Sequence, residues 1–173
     1  MWKNVYIGWC HGSGFVDWAI QRVDNSYWNH VLLRFETAGG FSEIYESHST
    51  GGVQITPIEH LNEARKTGKV TDYFEVKLCC NADKIWQNCL PFHGDGYAFG
   101  QILWYYTWER IRFGKGKPRG KRKNIKRLTC NMLVTEALTG EVKQIPVFDL
   151  SLTPERLFRL FSFRGIGSKE MFR

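Results

Sequence analysis

Three residues of types that together perform acyl transfer stand in this chain where a fold could join them. Cys130 opens the stretch Cys130–Leu138 (CNMLVTEAL), which reads as an apolar helix with Thr129 as its cap and Gly140 as its stop. Unpaired backbone N–H groups and the helix dipole at such a terminus stabilise a thiolate. The N–H of Cys130 itself is placed to donate to an oxyanion. A thiol used this way needs a base, and an imidazole is the usual one. His30 starts a strongly apolar strand, from which its ring can reach a neighbouring helix. Glu46, on the strand expected to pair with it, can fix that ring by a hydrogen bond. His48 shares the face of Glu46 by the period of two and can take the same part. Singly, each has an ordinary reading: a cysteine buried in a first turn, a packed histidine, a solvated carboxylate. Cys10-His11 is a local rival, set among Gly8, Gly12 and Gly14 in what reads as a loop. Adjacent Cys and His side chains seldom face each other for proton transfer, so the pair reads as structural or as neighbouring the site. His60 and His93 read as ordinary helix and loop residues.

The elements that must position these groups follow from periodicity and punctuation. Val5–Trp9, His30–Phe35, Phe41–Ser47, Gly51–Ile55 and Tyr73–Leu78 read as strands, with a turn at Ala38-Gly39-Gly40. Phe15–Ile20 has helical spacing. Ile58–Ala64 follows Pro57 as a short helix, and Asn81 caps another over Ala82–Leu90, stopped by Pro91. Tyr97–Phe113 is aromatic and long enough for a buried helix, and Pro154–Phe158 opens the last one. Leu133, Ala137 and Leu138 share one face of the Cys130 helix. Helix, several strands and then helices make an α+β pattern and not a regular βαβ alternation.

Length and composition bound the answer. The chain of 173 residues suits one domain, and 43% hydrophobic with 24% charged residues is a globular balance. Twelve Phe, seven Trp and seven Tyr must be buried or used, which excludes disorder over most of the chain. No apolar run is long enough for a membrane span, and the first residues lack the apolar core of a signal peptide. A cytoplasmic location is therefore expected. Five cysteines in such a chain argue against a disulfide framework. With no CxxC pair, and with Cys79 and Cys80 adjacent and so on opposite faces if in a strand, a structural zinc has little support. Most of the cysteines read as small buried hydrophobes. No metal or cofactor is implied.

Charge is concentrated in one place. Residues 115–127 hold Lys115, Lys117, Arg119, Lys121, Arg122, Lys123, Lys126 and Arg127 with no acid; taking these eight from the net charge of +7 leaves −1 elsewhere. The segment 114–127, broken by Gly114, Gly116, Pro118 and Gly120, reads as a loop or insertion. Its ordinary reading is a solvated loop. Its functional readings are contact with a phosphate polyanion, an anionic membrane surface or an acidic partner. No aromatics interleave with the charges, so reading of bases is not expected.

Taken in order, these segments resemble the circularly permuted NlpC/P60 cysteine hydrolases, the YaeF/YiiX-like branch of the papain-like superfamily. AIQRVDNSYWNHVLLRF resembles the family's His-bearing run and strand. EIYESHSTGGVQITPIEHL is similar to its carboxylate strand followed by Gly-Val and a short helix. GDGYAFGQILW resembles its Tyr-bearing helix start, LTCNMLVTEALTG its nucleophile helix, and LTPERLFRLF its closing segment. The match spans most of residues 5–160 of a single domain, 1–173. Where the family reads Ser-Glu after the cysteine, this chain has Asn131-Met132. The resemblance implies a permuted papain-like fold, an antiparallel sheet packed against helices. It implies Cys130 as nucleophile, His30 as general base and Glu46 as the acid that orients it, with Tyr97, Cys10 and His48 lining the substrate site. The activity implied is hydrolysis or transfer at an amide, ester or thioester through an acyl-enzyme. Candidate substrates are a peptidoglycan stem peptide, a protein isopeptide and a lipid. A cell-wall role without export needs lysis or delivery in a particle, which suits a phage-encoded or mobile-element protein. Two further readings stand beside it: a non-enzymatic module of the same fold that grips a polyanion or partner through residues 115–127, and an inhibitor that occupies another enzyme's surface.

Overall fold

In the computed structural model, the residues described are 1–14, 18, 21, 26–97, 127–142 and 153–163. They form an α+β structure. Five antiparallel strands, β1 (Trp2–Gly12), β2 (His30–Thr37), β3 (Ser42–His48), β4 (Gly52–Pro57) and β5 (Val70–Lys77), lie in the order β4-β3-β2-β1-β5. Four helices accompany them: α1 (Ile58–Lys66), α2 (Ala82–Cys89), α3 (Cys130–Leu138) and α4 (Pro154–Phe163). A single 3-10 turn, Leu90–Phe92, and a parallel bridge between β6 (Gly96–Tyr97) and β7 (Arg127–Leu128) complete the described elements. No helix among the described residues is long and apolar enough to cross a membrane.

Strand alternation divides the sheet into two differently used faces. Val5, Ile7, Trp9, Val31, Leu33, Phe35, Tyr45 and Val76 are buried in one core with α2, α3 and α4. Trp9 is fully buried, its indole N–H donates to the Pro154 carbonyl at 3.1 Å, and its ring meets Phe158 edge-on. On the other face a smaller cluster, Cys10, Leu32 and Ile44, is covered by Leu61 of α1. Gly8 makes room there, since a Cβ at that position would lie 2.7 Å from the Tyr73 hydroxyl. β1 is therefore buried on both faces from Val5 to Cys10.

Several expectations change. Cys10-His11 is no loop: β1 runs on to Gly12 because it pairs with β2 on one side and β5 on the other, Cys10 opposing His30 and Tyr73. Gly8 and Gly12 are accommodated within a strand flanked twice, and Gly14 lies in a bend just beyond it. Cys79 and Cys80 lie in a bend after β5 and not in a strand, and Cys79 is exposed while Cys10, Cys89 and Cys130 are buried. Tyr97 belongs to β6, paired with Leu128, and not to a helix; the rest of the helix expected over Tyr97–Phe113 lies outside the described residues. So do most of Phe15–Ile20, of which Trp18 is helical, and the basic segment except for the backbone of Arg127 in β7.

Helix α3 spans the expected residues, but every one of them except Glu136 is buried. It lies between β2 and β3 on one side and α2 on another, where the Asn88 amide donates to the Ala137 carbonyl at 3.1 Å. A helix enclosed all round has no polar face to show. Asn81 caps α2 as expected, accepting from the Lys84 N–H. Thr129 precedes α3 without a side-chain cap bond; its hydroxyl instead donates to Asn131 Oδ1 at 2.6 Å.

Candidate active site

The first residue of β2 carries the imidazole. Its backbone is set by Asn29, which is 2% exposed and whose side chain both accepts from the Gly12 N–H and donates to the Gly12 carbonyl, each at 3.1 Å. The Asn29 N–H donates to the Cys10 carbonyl. The chain thus enters β2 clamped to the end of β1, and His30 leaves that clamp facing the α1 side of the sheet.

From there the ring meets both proposed partners. His30 Nε2 lies 2.9 Å from Glu46 Oε2. The Cys130 thiol, in the first turn of α3, hydrogen-bonds with the same ring. The second oxygen of Glu46 accepts a hydrogen bond from Thr56 Oγ1 at 3.0 Å. Thr56 stands on β4 opposite Ile44, diagonal to Glu46 on the same face. Cys130, His30, Glu46 and Thr56 therefore form one hydrogen-bonded series.

Ser47 ties this series to the helix. It neighbours Glu46 in β3 and so points to the opposite face. Fully buried, its hydroxyl donates to the Leu128 carbonyl at 2.6 Å, two residues before Cys130. One dipeptide, Glu46-Ser47, thus holds the imidazole with one side chain and the approach to α3 with the other. Tyr97 is brought alongside by β6, whose preceding loop is bonded to β4: Val53 N–H donates to the Asp95 carbonyl at 2.8 Å and Gly94 N–H to the Val53 carbonyl at 2.9 Å. Gly52, at φ 69°, sits where a Cβ would strike the Asp95 carbonyl.

The electrostatics follow from these contacts. Burial alone would pull the His30 imidazole down. Hydrogen bonds and charge from Cys130 and Glu46 outweigh it and hold the ring up at about 10. Glu46 would be raised by its burial, but the His30 ring, His48 and the Thr56 hydroxyl bring it down to about 2. The arrangement favours an imidazolium facing a carboxylate on one side and sulfur on the other. Groups so coupled share their protons as a set.

A groove of about 590 Å³ opens on this side of the sheet, between its face and α1. His30, Glu46 and Thr56 line it, as do Cys10, His48 and Tyr97. Cys130 is 3% exposed and is not among the described lining residues, so the groove meets the series at His30. His48 is exposed at the end of β3, its ring 6.1 Å from that of His30, and its Nδ1 pairs with the Thr50 hydroxyl at 2.9 Å. Of the two residues expected on that face, it is Glu46 that engages the base. His11 is turned away, stacked on Tyr27 with Nδ1 at 2.7 Å from the Tyr27 carbonyl. His60, read as an ordinary helix residue, lines the groove, while His93 does not.

Thr56, Ser47 and Asn29 were not singled out from sequence. Strand alternation was the available signal for the first two: Thr56 joins the face of Glu46 once β4 is paired in register, and Ser47 takes the opposite face. No group of three or more His, Cys, Asp or Glu side chains suited to a metal occurs among the described residues. No protein-family model and no curated protein matches the chain.

Proposed function

We propose that this chain is a cysteine hydrolase or acyltransferase, a single domain of permuted papain-like fold, acting on an amide, ester or thioester. The observation that carries this reading is the series Cys130–His30–Glu46–Thr56: a thiol, a base and an acid joined by hydrogen bonds, at the mouth of a groove and the start of a helix. In the reaction, the Cys130 sulfur attacks the acyl carbon and His30 holds the proton. The carbonyl electrons move to oxygen, where the first N–H groups of α3 stabilise the charge. Collapse breaks the bond to the leaving group, which takes the proton from His30, and leaves an S-acyl enzyme. Water or another acceptor then gives its proton to His30 and attacks the same carbon; sulfur departs and the pair is restored. Glu46 keeps the ring oriented throughout, and Thr56 keeps Glu46 in place.

The burial of Cys130 favours a second reading, a non-enzymatic module in which the pair is structural and residues 115–127 contact a polyanion. Limiting iodoacetamide, followed by mass spectrometry to locate the label, separates the two. The exposed Cys79 is replaced by Ser so that simple accessibility does not dominate. Under the enzyme reading Cys130 labels first despite its burial, and His30→Ala suppresses it. Labelling of Cys130 no faster than that of Cys10 would leave the module reading.

A further inference from the structure

The groove has a feature that the acyl-transfer chemistry does not use. Of its described lining residues only Glu46 is a carboxylate, and both its oxygens are occupied, by His30 and by Thr56. The other ionisable groups there, besides His30, are His48, His60, Lys69, Cys10 and Tyr97. Three of these five are bases, and they stand on three separate elements around the opening: His48 at the end of β3, His60 on α1, and Lys69 just before β5. Lys69 is held against the end of β1, its carbonyl accepting from the Ser13 N–H at 3.2 Å while the Ser13 hydroxyl donates to the Gly68 carbonyl at 3.1 Å. The acids of α1, Glu59 and Glu63, are exposed and are not among the described lining residues. A concave site rich in cationic and donor groups, whose one acid is already paired, is complementary to an anion.

We propose that the groove binds a small compound bearing an anionic oxygen group, a carboxylate or a phosphate, with Lys69 as the charge-selecting residue and His48 and His60 as its donors. In assigning that compound as the charged end of the acyl substrate, the inference rests on the hydrolase reading; the binding itself does not. The nearly neutral remainder of the chain makes this a local preference, separate from the basic segment.

The test uses the full chain carrying Cys130→Ala, so that no turnover intervenes. Butyrate, inorganic phosphate and butylammonium are titrated while the imidazole resonances of His48 and His60 are followed by NMR. At least one anion is expected to shift both rings saturably, with butylammonium weaker by roughly fivefold or more, the scale of a partly exposed ion pair. Whichever anion binds better identifies the group as carboxylate or phosphate. Lys69→Glu should weaken the anion by a similar factor, and Lys69→Gln by less; Lys69 is exposed, so the fold is retained. Equal binding of the charge-swapped pair, or no effect of Lys69→Glu, overturns the inference. So does anion binding that leaves both rings unmoved, as capture by residues 115–127 would. If the anion binds as described while Cys130 proves inert, the hydrolase reading fails and the groove stands. If Cys130 is reactive and the charge preference is absent, the groove inference alone falls.

Discussion

Two ion-paired clusters sit on the same face of the sheet, and they differ in what their protons can do. At one end, Arg34 donates to both oxygens of Glu75 at 2.9 and 2.7 Å and to Ser42 at 3.2 Å, with the Tyr6 ring 3.9 Å beneath its guanidinium. Tyr73 donates to Glu75 and Tyr6 to Glu36, so the network is closed by hydroxyls. Burial opposes the Arg34 charge, yet the Glu75 carboxylate holds its pKa above the ordinary guanidinium range. At the other end, His30 and Glu46 make a pair of similar burial, also with a hydroxyl donor, but the cation is an imidazole whose ring also meets a thiol. A guanidinium keeps its proton under all ordinary conditions; an imidazole can pass one on. Similar electrostatics therefore yield a structural clasp in one place and a candidate proton relay in the other.

Breaking each cluster should separate the two roles. The largest effect expected is on reactivity: His30→Ala lowers the alkylation rate of Cys130 at neutral pH by about 10²- to 10⁴-fold, the usual worth of a positioned base, and since it also leaves Glu46 buried without its partner the rate is compared well below the lowered melting temperature. The corresponding cut in the other cluster, Arg34→Met, leaves Glu75 buried without its partner and costs about 3 kcal/mol of stability. It should leave Cys130 alkylation unaltered while the protein stays folded; a parallel loss of reactivity would mean that the clusters are not independent. Thr56→Val is smaller. Removing the hydroxyl from Glu46 should slow alkylation by roughly tenfold, on the scale of a hydrogen bond to a charged group, and Thr56→Ser should recover most of it.

A separate readout is the pH dependence of stability. His30 is raised to about 10 when folded, so its contribution is fully present below its unfolded value near 6.5 and is lost as pH rises through about 10. Glu46 is lowered to about 2, so its contribution is present above an unfolded value near 4.5 and is lost as pH falls towards 2. Chemical denaturation across pH should show both slopes. His30→Gln should remove the alkaline slope, and Glu46→Gln should remove part of the acid one.

The local elements were legible where the signal was local. Asn81 caps α2 because its side chain can reach an N–H three residues on, and the span of α3 follows from an apolar run between Thr129 and Gly140. What failed depended on distant partners. Cys10-His11 reads as loop because its glycines are local evidence, whereas the strands flanking it come from residues 30 and 73. Tyr97 joins a bridge to Leu128, a partner that no nearby spacing announces. Glu46 and His48 were equivalent by the period of two; the difference is that Glu46 lies inward, between His30 and Thr56, while His48 ends the strand in solvent.

By itself, the sequence determined the alternating strands, the helix that begins at Cys130 and the residue types able to form a thiol–base–acid series, since propensity, capping and hydrophobic period act within a few residues. Only the tertiary structure decided that Glu46 meets His30, that Thr56 supports it, that Ser47 secures the approach to Cys130, and that bases rim the groove. Those contacts depend on strand register and on helices docking from far along the chain, and neither is encoded in any one segment.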